Sequence, residues 1–266
     1  MIPYSFNYYR AASLSEAEAM LKTLPEAKLL AGGQTLIAAM KMRLAQPSDL
    51  IDISGLRELS FIRAEGDRVV IGAGAKHYEV ADSEVVRKAI PALAALAGTI
   101  GDPAVRHMGT LGGSLANNDP AADYPAAVLA LDATVTTRRR SIAADEFFTG
   151  MFSTTLDDGE IITEVSFPIP ERGQYAKFPN PASRYAMAGV FVVKFADGIR
   201  VAVTGAGPCV FRVPEMEAAL AKSFTPDAVA KIAVSPEGLN SDIHGSAEYR
   251  ANLVTVMAKR AVAEAA

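Results

Sequence analysis

Two glycine-rich turns constrain the fold of this 266-residue chain more than any other feature. Gly32-Gly33 follows the apolar run 28–31, and Gly112-Gly113 follows Gly109-Thr110. Main-chain N–H groups that converge from a tight turn hold phosphate oxygens well, and only glycine lets the backbone approach so closely. The two turns therefore predict two backbone cradles for one pyrophosphate, and a dinucleotide as the ligand.

Each turn also has an ordinary structural interpretation. The first is compatible with a simple strand-to-helix turn that needs a left-handed residue. The second is compatible with a capped loop in which Asp119-Pro120 and Asp123 form turns. The occurrence of both turns in one chain favours the cofactor interpretation, as does the polar run after the second turn, whose side chains can bond sugar hydroxyls.

Composition narrows the class of protein. The net charge of -4 provides no basic field for nucleic acid. The length lies between one large domain and two ordinary ones, so we expect at least two domains. The N-terminus lacks the apolar stretch of a signal peptide, and no apolar run reaches about 18 residues, which predicts a cytoplasmic protein without a membrane span.

Cysteine and histidine are scarce. The single cysteine, Cys209, excludes an internal disulfide, and we interpret it as a small buried hydrophobic residue. The three histidines lie far apart in sequence, which excludes zinc or iron–sulfur spacing and predicts that any redox metal belongs to another chain. We expect His107 to face solvent or a partner and His77 and His244 to lie in loops or caps.

Hydrophobic periodicity predicts alternating helices and strands. Helices are predicted at 13–24, 35–42, 83–97 with a break at Pro91, 124–131 (or a buried apolar segment), 214–222, 225–233 and 246–265. Strands are predicted at 28–31, 49–53, 69–71, 133–137 and 160–168, with a hairpin formed by 190–195 and 199–203. Residues 168–181 are rich in proline, glycine and charge and predict a domain boundary near 172.

Other short motifs carry no chemistry. Gly72-Ala73-Gly74 has His77 where a dinucleotide fingerprint needs its third glycine, so we interpret it as a strand end. Gly205 to Pro208 predicts a turn, because proline has no amide with which to hold phosphate. Arg138 to Arg140 is interpreted as a solvated strand end, with a partner-docking patch as the alternative. No catalytic triad emerges.

Four segments together resemble a known family: 31–36 (AGGQTL), 99–102 (TIGD), 105–114 (VRHMGTLGGS) and 119–125 (DPAADYP). The chain resembles the FAD-binding medium subunit of the molybdenum hydroxylases, of the aerobic carbon monoxide dehydrogenase type, and is similar to the flavin domain of xanthine dehydrogenase. Segments 159–164 and 241–250 extend the resemblance to nearly the whole chain.

The resemblance implies an α+β fold with a two-lobed FAD-binding domain of the vanillyl-alcohol-oxidase (PCMH) type, followed by a C-terminal α+β domain. The implied domains are an N-terminal α/β lobe over 1–55, a second α+β lobe over 56–172 and the C-terminal domain over 173–266. FAD lies between the lobes in this arrangement.

The resemblance also implies a cofactor-binding set. The pyrophosphate and ribityl chain are held by Leu29, Leu30, Ala31, Gly32, Gly33, Gln34, Thr35, Leu36, Thr110, Leu111, Gly112, Gly113 and Ser114. Gln34 stands where some relatives have histidine, which leaves the backbone cradle intact. The rest of the set comprises Asn117 in the polar run, Asp123 at the sugar-like chain, Ile100 and Ile162 packed near the cofactor, Lys177 near the flavin, and Tyr185. For Tyr185 we expect either an aromatic shield over the isoalloxazine or a core tyrosine.

The function implied by the resemblance is electron transfer within a complex. A large molybdopterin-binding subunit and a small [2Fe-2S] subunit are the implied partners, as a dimer of heterotrimers, and FAD passes electrons to an external acceptor. The chain then needs no catalytic acid or base of its own. The alternatives are a self-sufficient FAD-dependent reductase or oxidase, and a non-enzymatic nucleotide-binding module.

Overall fold

The computed structural model describes residues 2–265, and its first part is a small α/β lobe. A three-stranded parallel sheet in the order β1-β3-β2 is flanked by two helices. The elements are β1 (Asn7–Arg10), α1 (Leu14–Thr23), β2 (Lys28–Leu30), α2 (Leu36–Lys41) and β3 (Asp49–Asp52). The Ser13 hydroxyl caps α1 by accepting the Glu16 amide at 3.2 Å, as the sequence predicts.

The second part is an antiparallel five-stranded sheet, ordered β4-β5-β10-β6-β7, with helices packed on it. After a 3-10 turn at Arg57–Leu59, its elements are β4 (Ile62–Glu65), β5 (Arg68–Gly72), α3 (His77–Asp82), α4 (Glu84–Ala89), α5 (Pro91–Gly98), α6 (Pro103–Arg106), α7 (Leu111–Asn117), α8 (Tyr124–Ala130), β6 (Thr134–Thr137), β7 (Ser141–Ala143), α9 (Ala144–Phe147), the small hairpin of β8 (Phe148–Gly150) and β9 (Ser153–Thr154), and β10 (Ile162–Pro168).

The third part is a four-stranded antiparallel meander with helices packed against it. Its elements are β11 (Arg172–Pro179), β12 (Ala186–Lys194), β13 (Ile199–Thr204), β14 (Phe211–Arg212), α10 (Pro214–Lys222), α11 (Pro226–Val229) and α12 (Ala247–Glu264). None of the helices within residues 2–265 combines the length and the apolar character that a bilayer span requires.

Helix α8 joins the second part to the third. All seven of its residues are buried, and the Arg200 guanidinium on β13 donates to the Leu129 carbonyl oxygen at 3.0 Å. One apolar core runs from α1 and β3 through α8 to Phe191 on β12. The third part also contacts the segment after Asp119 directly, since the Thr204 hydroxyl lies within hydrogen-bond distance of the carbonyl oxygens of Pro120 at 3.2 Å and Ala122 at 2.6 Å.

Most predicted elements are confirmed, with small shifts at their ends. Residues 83–97 form two helices, as the break at Pro91 predicts, and Pro91 occupies the first position of α5, where its missing amide costs nothing. The expected hairpin is present as β12 and β13, and residues 124–131 form helix α8.

Two elements differ from the sequence predictions. Residues 172–179, where a domain boundary and no strand was predicted, form β11, because its eight residues pair with β12 and bury Tyr175 and Ala176 despite the flanking prolines. The helix expected at 225–233 stops at Val229, since α11 buries only that one side chain and the amide of Ile232 closes a turn on it at 3.1 Å.

Candidate functional site

A cleft of about 700 Å³ lies between the first two parts of the fold, with one wall from the segment before β12. This volume is in the range of small-molecule and cofactor sites. Among its lining residues are the predicted site residues Leu29, Leu30, Ala31, Gly32, Gly33, Gln34, Thr35, Leu36, Ile100, Thr110, Gly112, Gly113, Ser114, Asn117, Asp123, Ile162 and Tyr185. Leu111 and Lys177 are outside this lining, and Leu111 is fully buried.

The first glycine turn touches the backbone that leads into the second. A Cβ built on Gly32 would stand 2.1 Å from the carbonyl oxygen of Met108 and 2.8 Å from the Cα of Gly109. Gly33 adopts a φ of +71°, the left-handed region that favours glycine. The first turn therefore packs directly against residues that lie more than 70 positions away in sequence and just before the second turn.

Free main-chain amides are concentrated at the first turn. Within residues 2–265, no acceptor is present for the amides of residues 32–36, and all five residues line the cleft. Residues 32, 33 and 36 are half-buried and 34 and 35 are exposed, and the amides at the start of a helix have no partner within it, so these amides are open to the cleft and available to a ligand. Helix α2 has only six residues, so the amides themselves, rather than a long helix dipole, attract an anion here.

The second turn does not supply the amides that the sequence predicts. The amides of Leu111 and Gly112 donate to the carbonyl oxygens of Ala75 at 2.9 Å and Ala73 at 2.8 Å. The prediction of a second free backbone cradle is therefore wrong at these positions. The reason is that the segment is the first turn of helix α7, capped by the Thr110 hydroxyl.

Gly112, at the second turn, is required for close packing rather than for phosphate binding. A Cβ on Gly112 would lie 2.6 Å from the Cβ of Ala73, so only glycine lets α7 lie against the end of β5. Three further groups of this turn remain in the cleft wall: Thr110, Gly113 and Ser114. The second turn positions the wall, and the first turn offers the donors.

A buried ionic group supports the cleft at Asp123. The Lys177 ammonium lies 2.9 Å from one carboxylate oxygen of Asp123, and the hydroxyl of Tyr175 donates to the same carboxylate at 2.6 Å. Burial raises the pKa of Asp123, while Lys177 and the Tyr175 hydroxyl oppose that rise. Lys177 therefore acts on the cleft through Asp123.

His77 is a cleft-wall residue that sequence reasoning missed. Expected in a loop or cap, it is the first residue of α3 and is buried, with its ring 5.4 Å from that of Tyr124. Burial, aided by Arg106, lowers its pKa to about 4, so it is neutral at physiological pH. Its Nδ1 and the Tyr124 hydroxyl are buried without a partner among residues 2–265. No local pattern in the sequence marks this pair.

Tyr185 stands at the mouth of the cleft. Its side chain is 47% exposed, so the alternative of a core tyrosine is wrong. Arg184, which precedes it, has a φ of +62° and also lines the cleft. Tyr185 is thus both exposed and part of the cleft lining, a position compatible with a shield over a planar ligand.

The three arginines after β6 are exposed, as the sequence predicts, and Arg140 also forms an ion pair that the sequence does not reveal. The Arg140 guanidinium donates to the carboxylate of Glu160 at 2.8 Å, and the Glu160 side chain is fully buried beside the cleft. Arg140 and further hydrogen bonds lower the pKa of Glu160 to about 2. Arg140 is exposed, as the prediction of a solvated strand end requires, and it also pairs with this buried carboxylate.

The other motifs fall mainly where the sequence predicts. Gly72 ends β5, and Gly205 forms a turn with a φ of +81°. Cys209 is only half-buried, with its Sγ 3.7 Å from the Asn118 amide nitrogen, because it lies at a loop and not in the core. Among residues 2–265, no three His, Cys, Asp or Glu side chains cluster in a way that could hold a metal ion.

The cleft, its free amides and its aromatic cover define a class: a protein that holds a phosphate-containing cofactor between two lobes. Comparison with known families identifies the class more closely. Residues 4–170 match the family described as the FAD binding domain in molybdopterin dehydrogenase, and residues 174–265 match the CO dehydrogenase flavoprotein C-terminal domain. The chain belongs to this family of FAD-binding oxidoreductase subunits, and FAD is its cofactor.

Similar proteins extend over the whole chain. The carbon monoxide dehydrogenase medium chain of Hydrogenophaga pseudoflava is 38% identical over 98% of this chain and 97% of its own length. The nicotine 6-hydroxylase medium subunit of Paenarthrobacter nicotinovorans is also 38% identical, with the same coverage. The structure of reconstituted CO dehydrogenase from Oligotropha carboxidovorans matches with a TM-score of 0.92 and 33% identity, covering 99% of this chain and 98% of that one.

Proposed function

We propose that this chain is the FAD-binding subunit of a heteromeric molybdenum hydroxylase. In this proposal a large molybdopterin-binding chain and a small iron–sulfur chain are its partners, assembled as a dimer of heterotrimers. The named relatives, among them a carbon monoxide dehydrogenase medium chain and a nicotine 6-hydroxylase medium subunit, support the proposal. Their different names leave the substrate of this complex open.

The observation that carries the proposal is the run of free amides at residues 32–36 on a cleft of cofactor size. We propose that these amides donate to the pyrophosphate of FAD, as converging main-chain N–H groups at a helix start do for anions. The absence of a Cβ at Gly32 keeps the first turn packed against Met108 and Gly109. The residues present thus fit the cofactor.

Other wall residues complete the proposed site. Ile100 and Ile162 offer apolar contact, Asn117 offers a polar side chain at the sugar-like part, and Tyr185 covers the mouth. Asp123 offers a carboxylate that Lys177 and Tyr175 hold in one orientation. We propose that the pair Asp123–Lys177 fixes the wall against which the flavin is oriented.

When bound, FAD would supply the redox chemistry of the proposed electron transfer between partner iron–sulfur centres and an external acceptor. The chain's own task is to bind the cofactor, to orient it and to exclude water. His77, neutral and buried in the wall, adds no charge to the cleft. No side chain of this chain has to act as acid or base in such a transfer.

We further propose that the lobes of the cofactor domain are residues 1–55 and 56–172, followed by a C-terminal domain at 173–266. The three separate sheets and the two family matches support this division. The expected cytoplasmic location stays a prediction, which fractionation of cells would check.

Co-purification tests the proposal. The chain is co-expressed with candidate large and small chains from its own organism, and each combination is purified and mixed with reducing substrate. We expect a yellow complex whose flavin absorbance bleaches only when both partners are present. A yellow monomer with no affinity for either partner would contradict the subunit assignment.

The same preparation distinguishes the alternatives. Direct bleaching of the isolated chain by NADH or a small alcohol would favour a self-sufficient reductase or oxidase. A protein that stays colourless after addition of FAD would favour a nucleotide-binding module without redox function.

A further inference from the structure

Segment 241–250, which extends the family resemblance but lies outside the cleft lining, ends in a buried arginine. Arg250 lies near the start of α12, and its side chain is only 5% exposed. Its Nη1 donates to the carbonyl oxygens of Met187 at 2.9 Å and Gly205 at 3.0 Å, and its Nη2 donates to the Asp242 carboxylate at 2.7 Å. One guanidinium therefore joins α12 to β12, to the turn after β13 and to the segment before the helix.

The first of these acceptors lies next to Tyr185. Met187 follows Tyr185 by two residues, at the start of β12. The loop before β12 is closed at its base, because the amide of Asn180 donates to the carbonyl oxygen of Tyr185 at 2.7 Å. Arg250 therefore holds the strand end to which the loop with Tyr185 is attached.

The second acceptor lies against the polar segment of the cleft wall. The amide of Gly205 donates to the carbonyl oxygen of Pro120 at 2.8 Å. Gly205 has a φ of +81°, and an added Cβ would stand 2.3 Å from a carbonyl oxygen at the start of β12. Arg250 therefore fixes the start of β12, and with it Tyr185, relative to segment 119–123.

A second cavity lies beside the Tyr185 loop. It has a volume of about 330 Å³ and adjoins the cofactor cleft, since Asp119 and Tyr185 line both. Arg250 and its three acceptor residues also line this second cavity. Close packing fixes side chains within a core, but a loop beside a cavity has packing partners on fewer sides. The hydrogen bonds of Arg250 are therefore important for holding this loop in place.

The geometry at this position requires a guanidinium. Its planar fork of N–H groups can donate to two carbonyl oxygens and one carboxylate at the same time. Burial of the charge costs free energy, and the Nε of Arg250 has no partner among residues 2–265. A well-packed apolar side chain would fill the same space without that cost, which favours a role in positioning over a role in stability.

We propose that Arg250 is a positioning residue for the flavin shield: through Met187 and Gly205 it holds Tyr185 over the bound cofactor. Asp242 anchors the guanidinium in this role. The inference rests on the proposed function, in which Tyr185 covers the flavin, and adds a residue that acts on this cover from outside the cleft.

Iodide quenching of flavin fluorescence in the FAD-loaded full chain tests this role. Arg250→Lys keeps the charge but replaces the fork with a single ammonium, so we expect the quenching constant to rise at least about twofold. Arg200→Lys is the matched control, because Arg200 is 13% exposed and binds the Leu129 carbonyl oxygen and the Asp145 carboxylate instead of the Tyr185 loop. We expect this control to leave quenching unchanged.

A double variant separates positioning from a general loosening of the fold. If Arg250 acts through the Tyr185 ring, Arg250→Lys should add no further quenching to Tyr185→Ala. Additive increases, an equal increase in Arg200→Lys, or unchanged quenching in Arg250→Lys would each overturn the proposal. If Arg250→Lys does not fold, Asp242→Ala removes the anchor at a side chain that is 45% exposed, and the same expectations apply to it.

This experiment is independent of the test of the proposed function. It needs no partner chain, so failure of the Arg250 prediction leaves the subunit assignment, tested by co-purification, intact. If Tyr185→Ala itself leaves quenching unchanged, Tyr185 is not the shield and the role of Arg250 falls with it. A wild-type chain that binds no FAD would overturn both proposals.

Discussion

Gly32 lies directly against the carbonyl group of Met108, at a distance that leaves no room for a side chain: an added Cβ would stand 2.1 Å from the oxygen. This contact brings the first glycine turn onto the backbone that precedes the second. The cofactor cleft therefore depends on the absence of one methyl group, and substitution at this position is a direct test of the site.

Gly32→Ala is expected to push the two turns apart. Because the obstacle is backbone, relief requires movement of a whole segment, with a stability cost of about 1–3 kcal/mol. We expect FAD affinity to fall at least about tenfold, which corresponds to about 1.4 kcal/mol. Titration with FAD, followed by flavin fluorescence, together with thermal unfolding measures both effects. Gly198→Ala is the matched control, since a Cβ there meets nothing within 4 Å, and an equal loss in that variant would contradict the prediction.

The sequence predicted the first turn well because its signal is local. A short apolar run, two glycines and a helical segment specify strand, turn and helix without knowledge of distant residues. The same local reasoning failed at the second turn. The amide of Gly112 donates to Ala73, which is 39 residues away in sequence, and no pattern near Gly112 reveals that partner.

Tertiary contacts also explain the other failures. The composition of residues 172–179 does not predict a strand, and their pairing with β12 makes them one. The exposed Arg140 carries no local sign of its ion pair, because Glu160, its buried partner, is 20 residues away. His77 carries no local mark of burial, and its place in the cleft wall follows from the packing of α3 against the rest of the fold.

The buried pair of Lys177 and Asp123 is expected to dominate the stability of the cleft wall. Lys177→Met leaves the Asp123 carboxylate buried without its cation, which costs about 3–5 kcal/mol. The double variant Lys177→Met with Asp123→Asn is expected to recover part of that loss, because no unpaired charge remains. Urea unfolding measures the difference.

A surface ion pair provides the control for this experiment. Lys194 lies 3.1 Å from Glu171, with both side chains well exposed. Lys194→Met is expected to change the free energy of unfolding by no more than about 1 kcal/mol. Equal losses at Lys177 and Lys194 would show that burial does not govern the pair at Asp123.

Glu160 is expected to make stability depend on pH. Its pKa in the folded chain is about 2, below the ordinary value of 4.5, because of Arg140 and further hydrogen bonds. Between these values the unfolded chain binds more protons, so the contribution of Glu160 is complete above about pH 5 and is lost as the pH falls toward 2. We expect Glu160→Gln to be about 2–3 kcal/mol less stable at neutral pH.

The stability gap between wild type and Glu160→Gln should then narrow on acidification. Urea unfolding at a series of pH values from neutral to about pH 3 measures it. Glu171→Gln, at the exposed ion pair, is the control and should show almost no gap. A gap at Glu160 that stays constant over the whole range would mean that the carboxylate charge is not the source of the stability.

Tyr185 is expected to shield the bound flavin. Tyr185→Ala opens the mouth of the cleft, so quenching of flavin fluorescence by iodide should increase severalfold, whereas Tyr185→Phe keeps the ring and should behave as wild type. Tyr249→Ala removes a tyrosine of similar exposure outside the cleft lining and should have no effect. Equal quenching of flavin fluorescence in all three variants would show that the Tyr185 ring does not cover the flavin.

Amide hydrogen exchange at the first glycine turn tests the central claim most directly. The FAD-loaded protein is compared with the same protein saturated with riboflavin, which has the flavin ring and ribityl chain but no pyrophosphate. We expect the amides of residues 32–36 to exchange at least about tenfold more slowly with FAD. The amides of Leu111 and Gly112, already bonded within the chain, should exchange equally in both states. Equal exchange of residues 32–36 with either ligand would contradict the assignment of the first turn as the pyrophosphate site.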